Sequence, residues 1–218
     1  MKEVVILGAG YAGLRALHVL QGAKGDFHIT LVDKNDYHYE ATDLHEVAAG
    51  TQPRERISYD IADVVRPQKT TFLQNEVATI DRQSQRIMFT DQTSLSYDYL
   101  IVALGFESES FGIPGVNENA LEMVDVDSAE TIYHHLLKQM KEYKKTQDPD
   151  LLKIVVCGAG FTGVELLGSL VENRKEFAEI AGVQSEEIKL FCVEAVTRLL
   201  PMFDENLSAY GINNLVKW

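Results

Sequence analysis

The feature that most constrains this chain is a glycine pattern that occurs twice. Gly8-Ala9-Gly10-Tyr11-Ala12-Gly13 follows the apolar run Val4-Val5-Ile6-Leu7, and Gly158-Ala159-Gly160-Phe161-Thr162-Gly163 follows Ile154-Val155-Val156-Cys157. Such a run suits a parallel strand buried on both faces. The first glycine of each set allows a tight turn out of the strand. The second removes a side chain where backbone must approach a pyrophosphate, and the third lets the following helix pack closely. The helix N-terminus then offers free N–H groups and a partial positive charge to an anion. Together the two copies predict an α/β fold of two Rossmann-like dinucleotide-binding domains.

An acid should follow each motif, where it can take a ribose hydroxyl pair. Asp33 closes the next strand (Ile29 to Val32) at the expected distance of about twenty residues. The alternative for Asp33 is a surface turn before Lys34-Asn35-Asp36. Glu194 stands in the second copy after a longer gap, with residues 173–187 as a helical extension or insertion. A carboxylate there favours NAD(H) over NADP(H), because it repels a 2′-phosphate, although Arg198 is nearby. Glu165, two residues beyond Gly163, reads as a first-turn acid. It either serves the helix dipole or faces the junction of nicotinamide and flavin.

Between the motifs, Pro53 and Pro67 bracket an expected short helix, and Phe72 to Ile80 with Arg86 to Thr90 read as antiparallel strands. Tyr99 to Leu104 reads as a buried strand. Pro114-Gly115 marks a domain crossing. Ser128 to Tyr143 reads as a helix capped by Ser128, with Thr131, Ile132, His135, Leu136 and Met140 inward, and another helix starts near Asp204. The domains expected are residues 1–112 and 113–218. The second copy supplies only two strands of a longer series, so its domain is expected to be incomplete.

Composition removes other classes. A net charge of −13 leaves no basic stripe for nucleic acid and no strong electrostatic grip on an anionic membrane. No window approaches a membrane span and the first apolar run is too short for a signal peptide, so a cytoplasmic protein is expected. The two cysteines, Cys157 and Cys192, sit in strand-like runs without metal spacing and read as reduced core thiols; no metal is expected.

These residues resemble the flavoproteins with two dinucleotide-binding domains and, within them, the type II NADH:quinone oxidoreductases. The motifs that carry the resemblance span nearly the whole chain: Gly8 to Gly13, Asn35-Asp36-Tyr37-His38-Tyr39-Glu40-Ala41-Thr42, Leu44-His45-Glu46, Val102 to Phe106, Gly158 to Gly168, Val193-Glu194-Ala195 and Leu200-Pro201-Met202-Phe203. The resemblance implies FAD on the first motif and NADH on the second, with hydride passing between them and electrons then passing to a quinone. It implies that Gly10, Tyr11 and Ala12 contact the FAD pyrophosphate, with Asp33 and adjacent Lys34 at its ribose. Thr42 would lie beside the flavin ring, Val77 beside the adenine, and Ala103 to Gly105 along the cofactor. Gly160, Phe161, Thr162 and Glu194 would hold NADH, and Glu165 matches the acid kept near the ring stack, the catalytic candidate. His38 and His45 are each either flavin-pocket residues or structural hydrogen-bond donors.

Two residues depart from the pattern. Asp33 is shorter than the Glu common in the superfamily, and Ser169 replaces a second acid one turn beyond Glu165. In the family, a C-terminal half completes the NADH domain and adds a membrane-attachment segment. It follows that the full protein is expected at the inner face of the membrane, as a possible homodimer, and that 218 residues alone are not expected to turn over a quinone. Residues 42–50 contain no cysteine, which excludes dithiol chemistry there. The reading from another class is a non-catalytic NAD(H)-binding sensor.

Overall fold

The apolar run after Met1 forms strand β1 (Lys2–Leu7), which lies between β2 (Phe27–Asp33) and β9 (Tyr99–Val102) in a parallel sheet of order β5-β2-β1-β9, β5 being Thr70–Gln74. This computed structural model describes residues 1–196, 200 and 203–215. Elements are numbered in chain order. The described chain groups into two units, Met1–Tyr39 with Ser58–Glu107, and Glu40–Ile57 with Ser108–Trp218. The breaks fall at 39/40, 57/58 and 107/108, whereas a single crossing at 112/113 is expected from sequence.

In the first unit, alternation along β1 and β2 serves two different layers. Ile6, Ile29 and Leu31 meet Leu17 of helix α1 (Tyr11–Gly22) on one face. Val5, Leu7 and Val32 meet Ile87 and Phe89 on the other. The latter pair belongs to an antiparallel meander, β6 (Val77–Asp81), β7 (Arg86–Phe89) and β8 (Ser94–Ser96). A strand covered on both sides reads as a continuous apolar run, so Val4 to Leu7 has no polar interruption. A small antiparallel pair, β3 (Tyr37–Tyr39) with β4 (Ser58–Asp60), completes the unit.

In the second unit, α2 (Leu44–Ala49), the short α3 (Val116–Asn119), α4 (Val126–Thr146), α5 (Phe161–Glu172) and α6 (Arg174–Ala181) accompany a parallel pair, β10 (Lys153–Cys157) and β11 (Lys189–Val193). Helix α7 (Glu205–Leu215) follows. Phe177, Met140, Leu170 and Ile188 are the large side chains buried in its core, joined by Ala49 from α2. Gly50 ends α2 in the left-handed region, and a side chain there would run into the Tyr133 ring.

Several local expectations are corrected. The stretch from Phe72 to Ile80 is two strands broken at Asn75: β5 extends the parallel sheet, and β6 starts the meander. Asn75 N–H donates to the Asp33 carbonyl at 2.9 Å, which turns the chain. Residues 53–67 form two single 3-10 turns around β4 rather than one helix, because Ser58–Asp60 pair with Tyr37–Tyr39. The cap of α4 is Asp125, not Ser128. Asp125 accepts from Ser128 N–H while the Ser128 hydroxyl accepts from Asp125 N–H, a reciprocal capping box. Its buried face uses Val126, Ala129, Leu136 and Met140, leaving Thr131 and His135 exposed. β9 is an edge strand among the described residues, with Tyr99 and Val102 exposed. Cys157 and Cys192 are exposed, not core: Cys157 stands on the face of β10 opposite the buried Ile154 and Val156, and Cys192, beside Val156 in the register, is exposed on β11.

Candidate functional site

Both glycine motifs fold in the same way, and the agreement reaches individual bonds. Gly8 N–H donates to the Val32 carbonyl at 2.7 Å, and Gly158 N–H donates to the Val193 carbonyl at 2.8 Å. Gly8 has φ +97° and Gly158 φ +103°. Gly10 and Gly160 cap α1 and α5 with φ/ψ of −74°/−172° and −75°/−174°. Each helix opens on a glycine, so no cap side chain bonds its first turn.

Within each motif, two glycines are required by the fold itself. A side chain on Gly13 would overlap the Gly8 carbonyl oxygen, and one on Gly163 the Gly158 carbonyl oxygen. Gly8 combines its positive φ with a close approach to the Ala103 carbonyl. The middle glycine is different. Gly10 and Gly160 lie in extended backbone open to any residue, and a Cβ on either would meet nothing within 4 Å. The protein does not need glycine there. The clear space lies at a helix N-terminus, where a pyrophosphate fits both sterically and electrostatically.

The two acids also occupy matching places. Asp33 Oδ2 accepts from Ala9 N–H at 2.6 Å, and Glu194 Oε2 accepts from Ala159 N–H at 2.7 Å. The shorter Asp33 thus reaches its loop as closely as Glu194 does. Its Oδ1 accepts from Asn35 N–H at 2.9 Å, which closes the surface turn. Each carboxylate oxygen has two lone pairs, so both acids retain acceptor capacity for ribose hydroxyls. Hydrogen bonds from the N–H groups of Ala159, Val196 and Ala195 hold the Glu194 carboxyl below its ordinary range. Arg198 lies outside the described residues, as do Pro201 and Met202.

The remaining candidates divide between the units. Gly8, Gly10, Tyr11, Ala12, Gly13, Asp33 and Ala103 gather at the C-terminal ends of β1, β2 and β9, with Ala103 N–H donating to the Leu7 carbonyl at 2.7 Å. Lys34 is exposed beside Asp33, Val77 opens β6, and Gly105 follows β9 with φ +86°. Thr42 belongs to the second unit, in the 3-10 turn Ala41–Asp43. Gly158, Gly160, Phe161, Thr162, Gly163 and Glu194 gather at the ends of β10 and β11. Because α5 begins at Phe161, Glu165 stands in its second turn, exposed, and the first turn holds no acid. The dipole effect fades within the first turn, so that account of Glu165 loses its basis. Ser169, one turn further, is buried.

Partial desolvation by its neighbours, then the Glu194 carboxylate and the Cys157 sulfur, push the thiol of the exposed Cys192 up, which favours its protonated form. No group of three or more metal-type ligands occurs among the described residues. Sequence reasoning missed the atoms that hold the two loops from behind. His38 is 3% exposed and bonds the Ala9 carbonyl through Nδ1 at 2.6 Å, while Leu200 N–H donates to the Ala159 carbonyl at 3.1 Å. His38 thus donates a hydrogen bond to the loop. His45 is half-buried in α2.

The type II NADH:quinone oxidoreductases of Staphylococcus saprophyticus and Staphylococcus aureus are each 42% identical over 98% of this chain, which spans 54% of their length. NDH2 from Plasmodium falciparum, solved in complex with NADH, shares the fold at TM-score 0.87 and 24% identity, over 99% of this chain and 46% of that one. Sulfide:quinone oxidoreductase from Aquifex aeolicus does so at TM-score 0.72 and 21% identity, over 100% of this chain and 49% of that one. The model of the pyridine nucleotide-disulphide oxidoreductases matches residues 2–217, and the chain belongs to that family.

Proposed function

We propose that this chain supplies the FAD- and NADH-binding parts of an NADH:quinone oxidoreductase, residues 1–112 holding FAD and 113–218 NADH. The observation that carries the reading is the pair Gly10 and Gly160. Neither glycine is needed by backbone conformation or by packing, and both leave clear space at a helix N-terminus. Two such cradles on one chain call for two dinucleotides. The names of the Staphylococcus relatives supply the acceptor class, a quinone.

In this reading Gly10, Tyr11 and Ala12 hold the FAD pyrophosphate through backbone N–H groups, and the remaining lone pairs of the Asp33 carboxylate accept from the ribose. Gly160, Phe161, Thr162 and Glu194 do the same for NADH, with the ionised Glu194 excluding a 2′-phosphate. When bound, FAD supplies the hydride acceptor and passes electrons on to the quinone. Glu165, exposed on α5, positions the nicotinamide or the quinone and can hold a proton at its carboxylate. Val77 and Ala103 to Gly105 line the flavin. Peripheral attachment to the inner face of the membrane and a homodimer belong to the same proposal; no helix among the described residues is long and apolar enough to cross a membrane.

The test uses protein of the relatives' full length, loaded with FAD and mixed anaerobically with NADH and then with a soluble quinone. The flavin absorbance should bleach with NADH and return with quinone. A flavin that stays oxidised would leave a non-catalytic binder instead.

A further inference from the structure

The central alanine of each motif is held at the same two atoms. Ala9, 2% exposed, donates its N–H to Asp33 and accepts from His38 Nδ1, both at 2.6 Å. Ala159, also 2% exposed, donates to Glu194 at 2.7 Å and accepts from Leu200 N–H at 3.1 Å. On the N–H side both loops use a carboxylate from the strand end. On the carbonyl side they differ: the second loop uses a backbone amide, and the first uses an imidazole.

A carbonyl oxygen only accepts, so Nδ1 of His38 carries the proton in this bond whatever the state of Nε2. Tyr59 lies 4.8 Å from the ring centroid, Tyr11 meets it edge-on at 5.5 Å, and Tyr39 stacks at 6.4 Å. This aromatic wall fixes the ring plane and the direction of the donor. The consequence follows from peptide planarity. The Ala9 carbonyl and the Gly10 N–H belong to one trans unit and point opposite ways, so holding the oxygen sets the direction of the N–H. A carbonyl engaged in this way also polarises its unit and strengthens the N–H as a donor.

We infer that His38 is a positioning residue for the first phosphate-binding loop: it aims the Ala9–Gly10 peptide at the dinucleotide phosphates. The Leu200 amide does the same for the Ala159–Gly160 peptide. The inference rests on the reading that the first motif holds FAD. It makes the first loop sensitive to a side-chain substitution from which the second is immune.

The experiment titrates the 218-residue chain with FAD and, separately, with NADH, comparing wild type, His38→Asn and His38→Leu. Asn and Leu are close in shape, but only the Asn amide can donate where Nδ1 did. His38→Leu should weaken FAD binding by about ten-fold or more, the scale set by one buried acceptor left unsatisfied. His38→Asn should stay within about three-fold of wild type, and NADH binding should not change in either. Equal FAD affinity for His38→Leu and wild type overturns the inference, as does equal weakening in both variants. If His38→Leu does not fold, weak FAD binding by His38→Asn alone overturns it. A wild-type chain that binds no FAD removes the reading beneath it, a result distinct from the others.

Discussion

Gly10 and Gly13 lie three residues apart in one loop, yet replacing each by alanine should have opposite consequences. A methyl on Gly13 would overlap the Gly8 carbonyl oxygen and come within 2.9 Å of its carbon, with Ile6 Cγ2 at 3.5 Å behind it. Carbon contacts relax only at about 3.5–4.0 Å, so either α1 or the turn at Gly8 must move. Both are fixed: Gly8 N–H is bonded to the Val32 carbonyl, and Leu17 of α1 is buried. Overpacking of this kind costs about 1–3 kcal/mol, and for a unit of this size each kcal/mol lowers Tm by about 4–8 °C. Gly13→Ala should therefore lower Tm by about 5–20 °C.

Gly10→Ala meets no atom within 4 Å at ordinary φ, so the folded state loses nothing, while the unfolded chain loses freedom worth about 0.4–1 kcal/mol. Its Tm without ligand should stay level or rise. The stabilisation by FAD should disappear, however; at a hundred times Kd that amounts to about 2.7 kcal/mol in the wild type. Differential scanning fluorimetry with and without FAD reads both effects. A Gly10→Ala chain that melts early, or that gains as much from FAD as wild type does, would refute the division of labour between these glycines.

Other outcomes follow from the same geometry. In protein of the relatives' full length, Glu165→Gln should lower NADH-to-quinone turnover about ten- to hundred-fold while FAD remains bound; unchanged quinone kinetics would remove Glu165 from the chemistry. Glu194→Gln should narrow the preference for NADH over NADPH, measured as a ratio of Kd values, because the charge that repels a 2′-phosphate is gone; an unchanged ratio would place selectivity elsewhere. The Glu194 carboxyl is held below its ordinary value, so its grip on the Ala159 N–H is complete at neutral pH and is lost only as pH falls through that lowered value. NADH affinity should accordingly be flat from pH 6 to 8, within about two-fold, and a decline across that range would contradict the assignment. Asp125→Ala removes the cap of α4 and should cost about 1 kcal/mol by urea unfolding; a change within error would show that the Ser128 half of the capping box suffices.

What could be read from the sequence was whatever short range dictates. Glycine at fixed intervals after an apolar run specified strand, turn and helix at both motifs, and the acid after the next strand located Asp33 and Glu194. Errors arose where long-range pairing overrode local pattern. Ser58–Asp60 became a strand because Tyr37–Tyr39 lies alongside it, and Phe72 to Ile80 split because β5 and β6 pair with different partners. Cys157 was misplaced for a related reason: a strand that is apolar throughout can still have one open face, and only the neighbouring layers decide which. His38 stood inside a recognised motif with its role open. Its partner is a backbone carbonyl twenty-nine residues earlier, and no side-chain pattern encodes a backbone acceptor.

The central claim is that each motif holds its own dinucleotide, and calorimetric titration tests it most directly. Wild type, Gly10→Val and Gly160→Val are each titrated with FAD and with NADH. A Cβ at either position meets no atom within 4 Å, and a branched side chain adds bulk over the loop. Gly10→Val should lose FAD and keep NADH, and Gly160→Val should lose NADH and keep FAD. Loss of both ligands from one substitution, or of neither, would contradict the assignment of two separate sites.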